Sequence, residues 1–163
     1  DITGANTGKP AGATTTGQDN RGRLSMALLI GFGLVAFLGI FHHFALLKLR
    51  KVTADAKEHP NRAIITVFIG LLVIHLAEIL LFAGAYRVLL SWPWLGQLHE
   101  ADMSWTGLIY FSGINFTSLG YTQIEAAGPL RLINMMQSLG GFMILTWSAT
   151  FSYSIWSKAL DGL

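Results

Sequence analysis

The sequence contains no cysteine, which excludes disulfide scaffolds, thiolate metal sites and cysteine nucleophiles and leaves the redox compartment open. Charge is scarce as well. Asp, Glu, Lys and Arg make up 12% of the 163 residues, about half of the ~25% usual in soluble domains. So few charges could not cover a water-facing surface, which argues against a soluble globular enzyme. The 52% hydrophobic content and the mean hydropathy of +0.50 exclude disorder for most of the chain. A net charge of +2, without any aromatic-basic stripe, gives no sign of a nucleic-acid partner. No nucleophile–base pair, phosphate loop or zinc spacing is present, so no catalytic residue is assigned. The chain reads as a membrane protein.

Residues 1–22 are rich in Gly, Thr, Ala and Asn without apolar periodicity. They are expected to form a flexible extracytoplasmic tail. The first residue is Asp rather than Met, so a processed or longer parent chain is expected. From Leu24 to Leu47 there is no Lys, Arg, Asp or Glu. At 1.5 Å per residue this run covers about 36 Å, more than the ~30 Å of a hydrocarbon core. It predicts a first transmembrane helix over 23–49. The basic stretch that follows, with Lys48, Arg50, Lys51, Lys57 and Arg62, predicts a cytoplasmic loop over 50–62 that touches anionic lipid headgroups. A second span, Ala63 to Tyr86, is interrupted by His75 and Glu78 and ends at Arg87 and an interfacial Trp92-Pro93-Trp94 cluster. Residues 95–128 are too polar and Gly-interrupted to cross again, yet contain an apolar stretch that Asp102 or Ser104 can cap as a short helix. A third span runs from Leu130 to Trp156, closed by Lys158.

The expected fold is therefore an all-α membrane protein: three transmembrane helices with a re-entrant helix and loop between the second and third. The positive-inside rule puts the N-terminus outside and the C-terminus in the cytoplasm. Irregular backbone at membrane depth is tolerated only where it is buried in protein or lines a water-filled path. A helix ending inside the membrane stabilises a cation with its C-terminal dipole, and a following strand with small or hydroxyl residues can aim carbonyls at an axis.

Tyr110-Phe111-Ser112 and then Phe116-Thr117-Ser118-Leu119-Gly120-Tyr121-Thr122 resemble the pore helix and T-T-V-G-Y-G filter of the potassium-channel family. Ala63 to Arg87 is similar to that family's outer helix and Leu130 to Trp156 to its inner helix. The resemblance implies a pore module over 63–158 and an additional first helix. It implies an ion filter at Thr117, Ser118, Leu119, Gly120, Tyr121 and Thr122, and a gating hinge at Gly141. One loop supplies a quarter of a filter, so the resemblance also implies a homotetramer. No cofactor or resident metal is expected beyond permeant K⁺ or another monovalent cation. The expected location is a bacterial inner (plasma) membrane, with lipids, and for the first span another membrane protein, as partners.

Two departures carry weight. Thr122 replaces the second filter Gly, at a position that needs φ > 0 and where a β-branched residue is an outlier. Gln123 replaces an Asp at the filter mouth, where Glu125 is the remaining acid. Weak discrimination against Na⁺ is the expected consequence.

Other residues leave alternatives open. Asn134, Ser138, Gly141, Leu145, Ser148 and Ser152 share one helical face, which lines a wet cavity or hydrogen-bonds to neighbouring helices. His75 and Glu78, three apart on the second span, with His42 and His43 on the first, form a metal, haem or proton-sensing site or a plain polar tie between helices. The rival functions are a non-conducting channel-fold subunit of a larger assembly and a haem- or quinone-binding anchor.

Overall fold

The computed structural model describes residues 13–99, 103–120 and 123–160. The expected filter residues Tyr121 and Thr122 and residues 1–12 of the tail lie outside the described residues. Among the described residues four α-helices make up most of the structure: α1 (Ala13–Val52), α2 (Pro60–Leu89), α3 (Trp105–Phe116) and α4 (Leu130–Leu160). A single 3-10 turn (Pro93–Leu95) follows α2, and two short strands, β1 (Leu98–His99) and β2 (Glu125–Ala126), pair antiparallel with Leu98 opposite Ala126.

The α1 helix buries Ala27, Leu38, His42, Leu46 and Leu49, a 3.6-residue recurrence that lays one stripe on α4 and α2. It packs mainly against α4. At the crossing, a Cβ on Gly140 would come within 2.6 Å of the Val35 side chain, and one on Gly31 within 3.1 Å of Met136. Small residues let the two backbones approach. The opposite face exposes Leu29, Phe32, Phe37, Ile40 and Phe44, as a lipid-facing surface does.

Residues 13–22 correct the expectation of a flexible tail: they are the first turns of α1. A helix already nucleated by an apolar span extends at little cost, and Asp19 pairs with Arg23 one turn on at 2.8 Å. The basic loop is likewise shorter than the expected 50–62. Arg50 and Lys51 sit in the last turn of α1, where they complement the helix dipole. Pro60 opens α2 at the position where its missing N–H costs nothing.

Gln18–Val52 and Pro60–Leu89 are long and apolar enough to cross a membrane, with mean hydropathies of 2.5 and 2.6. The α4 helix matches them in length, with 31 residues, but is less apolar because Asn134, Gln137 and several Ser and Thr residues interrupt it.

Candidate functional site

The short α3 helix sits between α2 and α4, and each of its ends is specified locally. At the start, the Ser104 hydroxyl accepts the Gly107 N–H at 3.2 Å, an N-cap of the kind worth ~1 kcal/mol. At the other end, the Ser118 N–H reaches the Asn115 carbonyl at 3.0 Å and the Leu119 N–H the Ile114 carbonyl at 3.2 Å. This pair of bonds is a Schellman motif, which places Ser118 at the position that glycine usually fills. Ser118 accordingly has φ 56°, at a cost of about 1–2 kcal/mol for a residue with a Cβ. Its hydroxyl donates to the Ser138 carbonyl of α4 at 3.2 Å, which holds the conformation in place.

A buried polar chain clamps α3 laterally. The Tyr86 hydroxyl donates to Gln137 Oε1 at 2.7 Å, with Asn134 Oδ1 at 3.2 Å. Gln137 Nε2 donates to the Ser112 carbonyl at 3.1 Å and to Ser112 Oγ at 3.0 Å, and Ser112 Oγ donates to the Ile79 carbonyl at 2.8 Å. The chain leaves α2, passes through α4 and α3, and returns to α2. No described buried side-chain N or O atom lacks a partner, so this interior is polar without being under-satisfied. Gly141 completes the clamp: a Cβ there would collide with the backbone carbonyl of Phe116, the last residue of α3.

Beyond the Schellman turn, Thr117, Ser118, Leu119 and Gly120 are exposed, Leu119 to 72%. Ser118 and Gly120 have positive φ, 56° and 62°, whereas Leu119 between them does not. Backbone handedness thus alternates along this stretch. Among the described residues, no donor reaches the carbonyls of Thr117, Ser118, Leu119 or Gly120. The Thr117 hydroxyl is turned back to the Gly113 carbonyl at 2.9 Å.

The returning chain is tied to the segment after α2. Besides the β1–β2 pair, the Ala127 N–H donates to the Gln97 carbonyl at 2.8 Å, and Arg131 Nε donates to the Ala126 carbonyl at 2.6 Å. Gly96 and Gly128 make this crossing possible, since a Cβ on Gly96 would strike the Ala127 carbonyl. Gln123 and Glu125 are exposed. Glu125 lines a hollow of about 350 Å³ with Asn115, Gly120, Ile124, Arg131 and Asn134.

A family model described as an ion channel matches residues 74–156, half of the chain. The chain belongs to this ion-channel family, the two-span potassium-channel type. The match covers the C-terminal half of α2, α3, the exposed stretch after it and nearly all of α4, and leaves α1 outside. No curated protein and no solved structure matches the chain. Together with the apolar α1 and α2, family membership makes this ion channel an integral membrane transporter.

The polar stripe of α4 is the channel subunit's internal packing face. Gly141 and Ser148 are buried, and Asn134, Ser138, Leu145 and Ser152 partly so. Asn134 meets Tyr86 and Ser148 meets His42. Of the two readings that the spacing left open, hydrogen bonding between helices is the one the protomer makes. Thr146 and Thr150 are among the exposed polar residues of α4, each donating to the carbonyl one turn back.

His75 and Glu78 are brought together with His42. Glu78 is wholly buried, and its Oε1 lies 2.8 Å from His42 Nδ1 while Oε2 lies 2.8 Å from His75 Nδ1. His43 stands outside this group, exposed, against Phe44 and Trp147. Sequence reasoning missed Tyr86, Ser112 and Gln137 as a unit. The only available signal was Gln137 itself, a long amide inside an apolar run.

Proposed function

We propose that the protein is one subunit of a homotetrameric cation channel that passes K⁺ with weak discrimination against Na⁺. The observation that carries this reading is the exposed stretch Thr117–Gly120. Its handedness alternates and its carbonyls take no donor among the described residues. Alternation is what turns successive carbonyls to one side, and rings of such oxygens from several copies replace the hydration shell of a cation. A single copy offers only part of a ring, and an exposed Leu119 calls for neighbours to cover it. The C-terminal end of α3 points its negative dipole at the same place. Thr122 and Gln123 stand in place of Gly and Asp, which exchanges a conformationally free residue for a β-branched one and removes an acidic ring, with Glu125 the remaining acid. That is the basis for weak selectivity.

In this reading α4 is the third span and α3 is a re-entrant pore helix. Thr146 and Thr150 face the inner cavity, and gating swings α4 at Gly141, away from the Phe116 carbonyl. No cofactor takes part. The basic turn after α1 faces the cytoplasm and anionic lipid of a bacterial inner (plasma) membrane, with the N-terminus outside.

Purified protein reconstituted in liposomes tests this. K⁺ flux, modest K⁺ over Na⁺ preference by bi-ionic reversal potential, and a rise in that preference in Thr122→Gly are the expected results. Stringent K⁺ selectivity in the native protein would refute the role given to Thr122. Absence of flux from a folded tetramer would make this a non-conducting channel-fold subunit.

A further inference from the structure

The buried group His42–Glu78–His75 is not among the residues given to the proposed filter. Two imidazoles flank one carboxylate. The rings are stacked, with centroids 5.7 Å apart and planes 10° from parallel, and each turns its Nδ1 to a different oxygen of Glu78 at 2.8 Å. The potential ligand atoms all lie within 4.8 Å of one another. Among the described residues, no Lys or Arg pairs with Glu78; its ionic partners are the two histidines. A carboxylate buried this deeply in an apolar helix bundle is expensive unless cations or hydrogen-bond donors compensate it.

We propose that His42, His75 and Glu78 form a binding site for a first-row transition-metal dication of the Zn²⁺ class, linking α1 to the pore module. Two imidazole nitrogens and one carboxylate oxygen, with no thiolate in the chain, are the donor set that suits such an ion and not Ca²⁺ or Mg²⁺. Ligand bonds of about 2.0–2.1 Å in tetrahedral geometry hold donor atoms roughly 3.3 Å apart. The present 2.8 Å pairs, which use different oxygens of Glu78, need to open by about half an ångström, and the wider separations within the 4.8 Å limit need to close toward the same distance. On binding, each imidazole moves its proton from Nδ1 to Nε2. For His42 a receiver is already in place, since Ser148 Oγ lies 3.3 Å from Nε2. An outer partner of this kind fixes the tautomer and orientation of a metal-bound histidine. The fourth position falls to water. His75 is the member with some exposure, 17% of its side chain, and it lines a groove of about 390 Å³ between α2 and α4 with Ser152 and Trp156. Its ring also lies tilted against Phe116, with centroids 5.7 Å apart, so the site adjoins the last residue of α3.

The test is metal binding by the tag-free full chain in detergent, which needs no conduction and so stands or falls apart from the channel reading. Zn²⁺ titration should saturate at one ion per chain, and Co²⁺ in its place should give visible d–d bands of a low-coordinate nitrogen–oxygen site. His75→Gln and Glu78→Gln should weaken binding at least tenfold, while His43→Gln should leave it unchanged. Failure of the folded wild-type protein to bind Zn²⁺ saturably would overturn the proposal and leave the group a hydrogen-bonded tie. Undiminished binding in Glu78→Gln would also overturn it. Should both site variants fail to fold, the wild-type Co²⁺ spectrum decides: octahedral aquo-type bands refute the site.

Discussion

Gly141→Ala separates two roles that one residue could hold. A hinge glycine tolerates a methyl group with altered gating, whereas a contact glycine does not. Here the added Cβ would meet the Phe116 carbonyl and its neighbouring backbone atoms, not the end of a flexible side chain, so relief requires α4 and α3 to separate. Overpacking of this kind costs about 1–3 kcal/mol, and the rigid backbone target puts this case at the upper end. Better helix propensity of Ala returns about 1 kcal/mol. The net expectation is a loss of about 2 kcal/mol, roughly 30-fold in the folding equilibrium. Gly84, with nothing within 4 Å of its notional Cβ, provides the control: Gly84→Ala keeps the propensity gain alone. Denaturant titration of the detergent-solubilised protein measures both. Equal stability of Gly141→Ala and Gly84→Ala would refute the contact and leave the hinge role by itself.

Two further predictions concern the seating of α3. Tyr86→Phe removes the donor to Gln137 Oε1 and leaves that buried oxygen short of a partner, at a cost of about 1–3 kcal/mol. Tyr86→Phe combined with Gln137→Leu should lose less than the sum of the two single changes, and strict additivity in the unfolding free energies would show that no network couples them. At Ser118, Ala keeps the left-handed strain and loses the bond to Ser138, whereas Gly loses the bond but sheds the strain. Ser118→Gly should therefore be more stable than Ser118→Ala by about 1 kcal/mol; indistinguishable melting of the two variants would remove the Schellman assignment.

Some of this architecture was legible because its signals are local. The charge-free run from Leu24 to Leu47 acts within one helix, and the Ser104 cap within a single turn. The motif around Thr117–Gly120 is equally local, and the family it resembles is the one whose model matches residues 74–156. The limits of local reasoning show in α4. Spacing placed Asn134, Ser138 and Ser148 on one face but could not say what that face meets, because one stripe serves a wet cavity and a packed interface equally well. The helical residues 13–22 illustrate a second limit: composition reports whether a segment can fold by itself, not whether a neighbouring helix will extend through it.

The sequence by itself determined the solvent and the elements: a bilayer, because charge is too sparse for water, and long helices, because uninterrupted apolar runs leave the backbone only internal partners. Tertiary structure alone decided which polar groups meet. Tyr86 finds Gln137 from 51 positions away and Glu78 finds His42 from 36, since buried donors and acceptors are satisfied by whatever packing brings near. No periodicity within one helix encodes a partner on another.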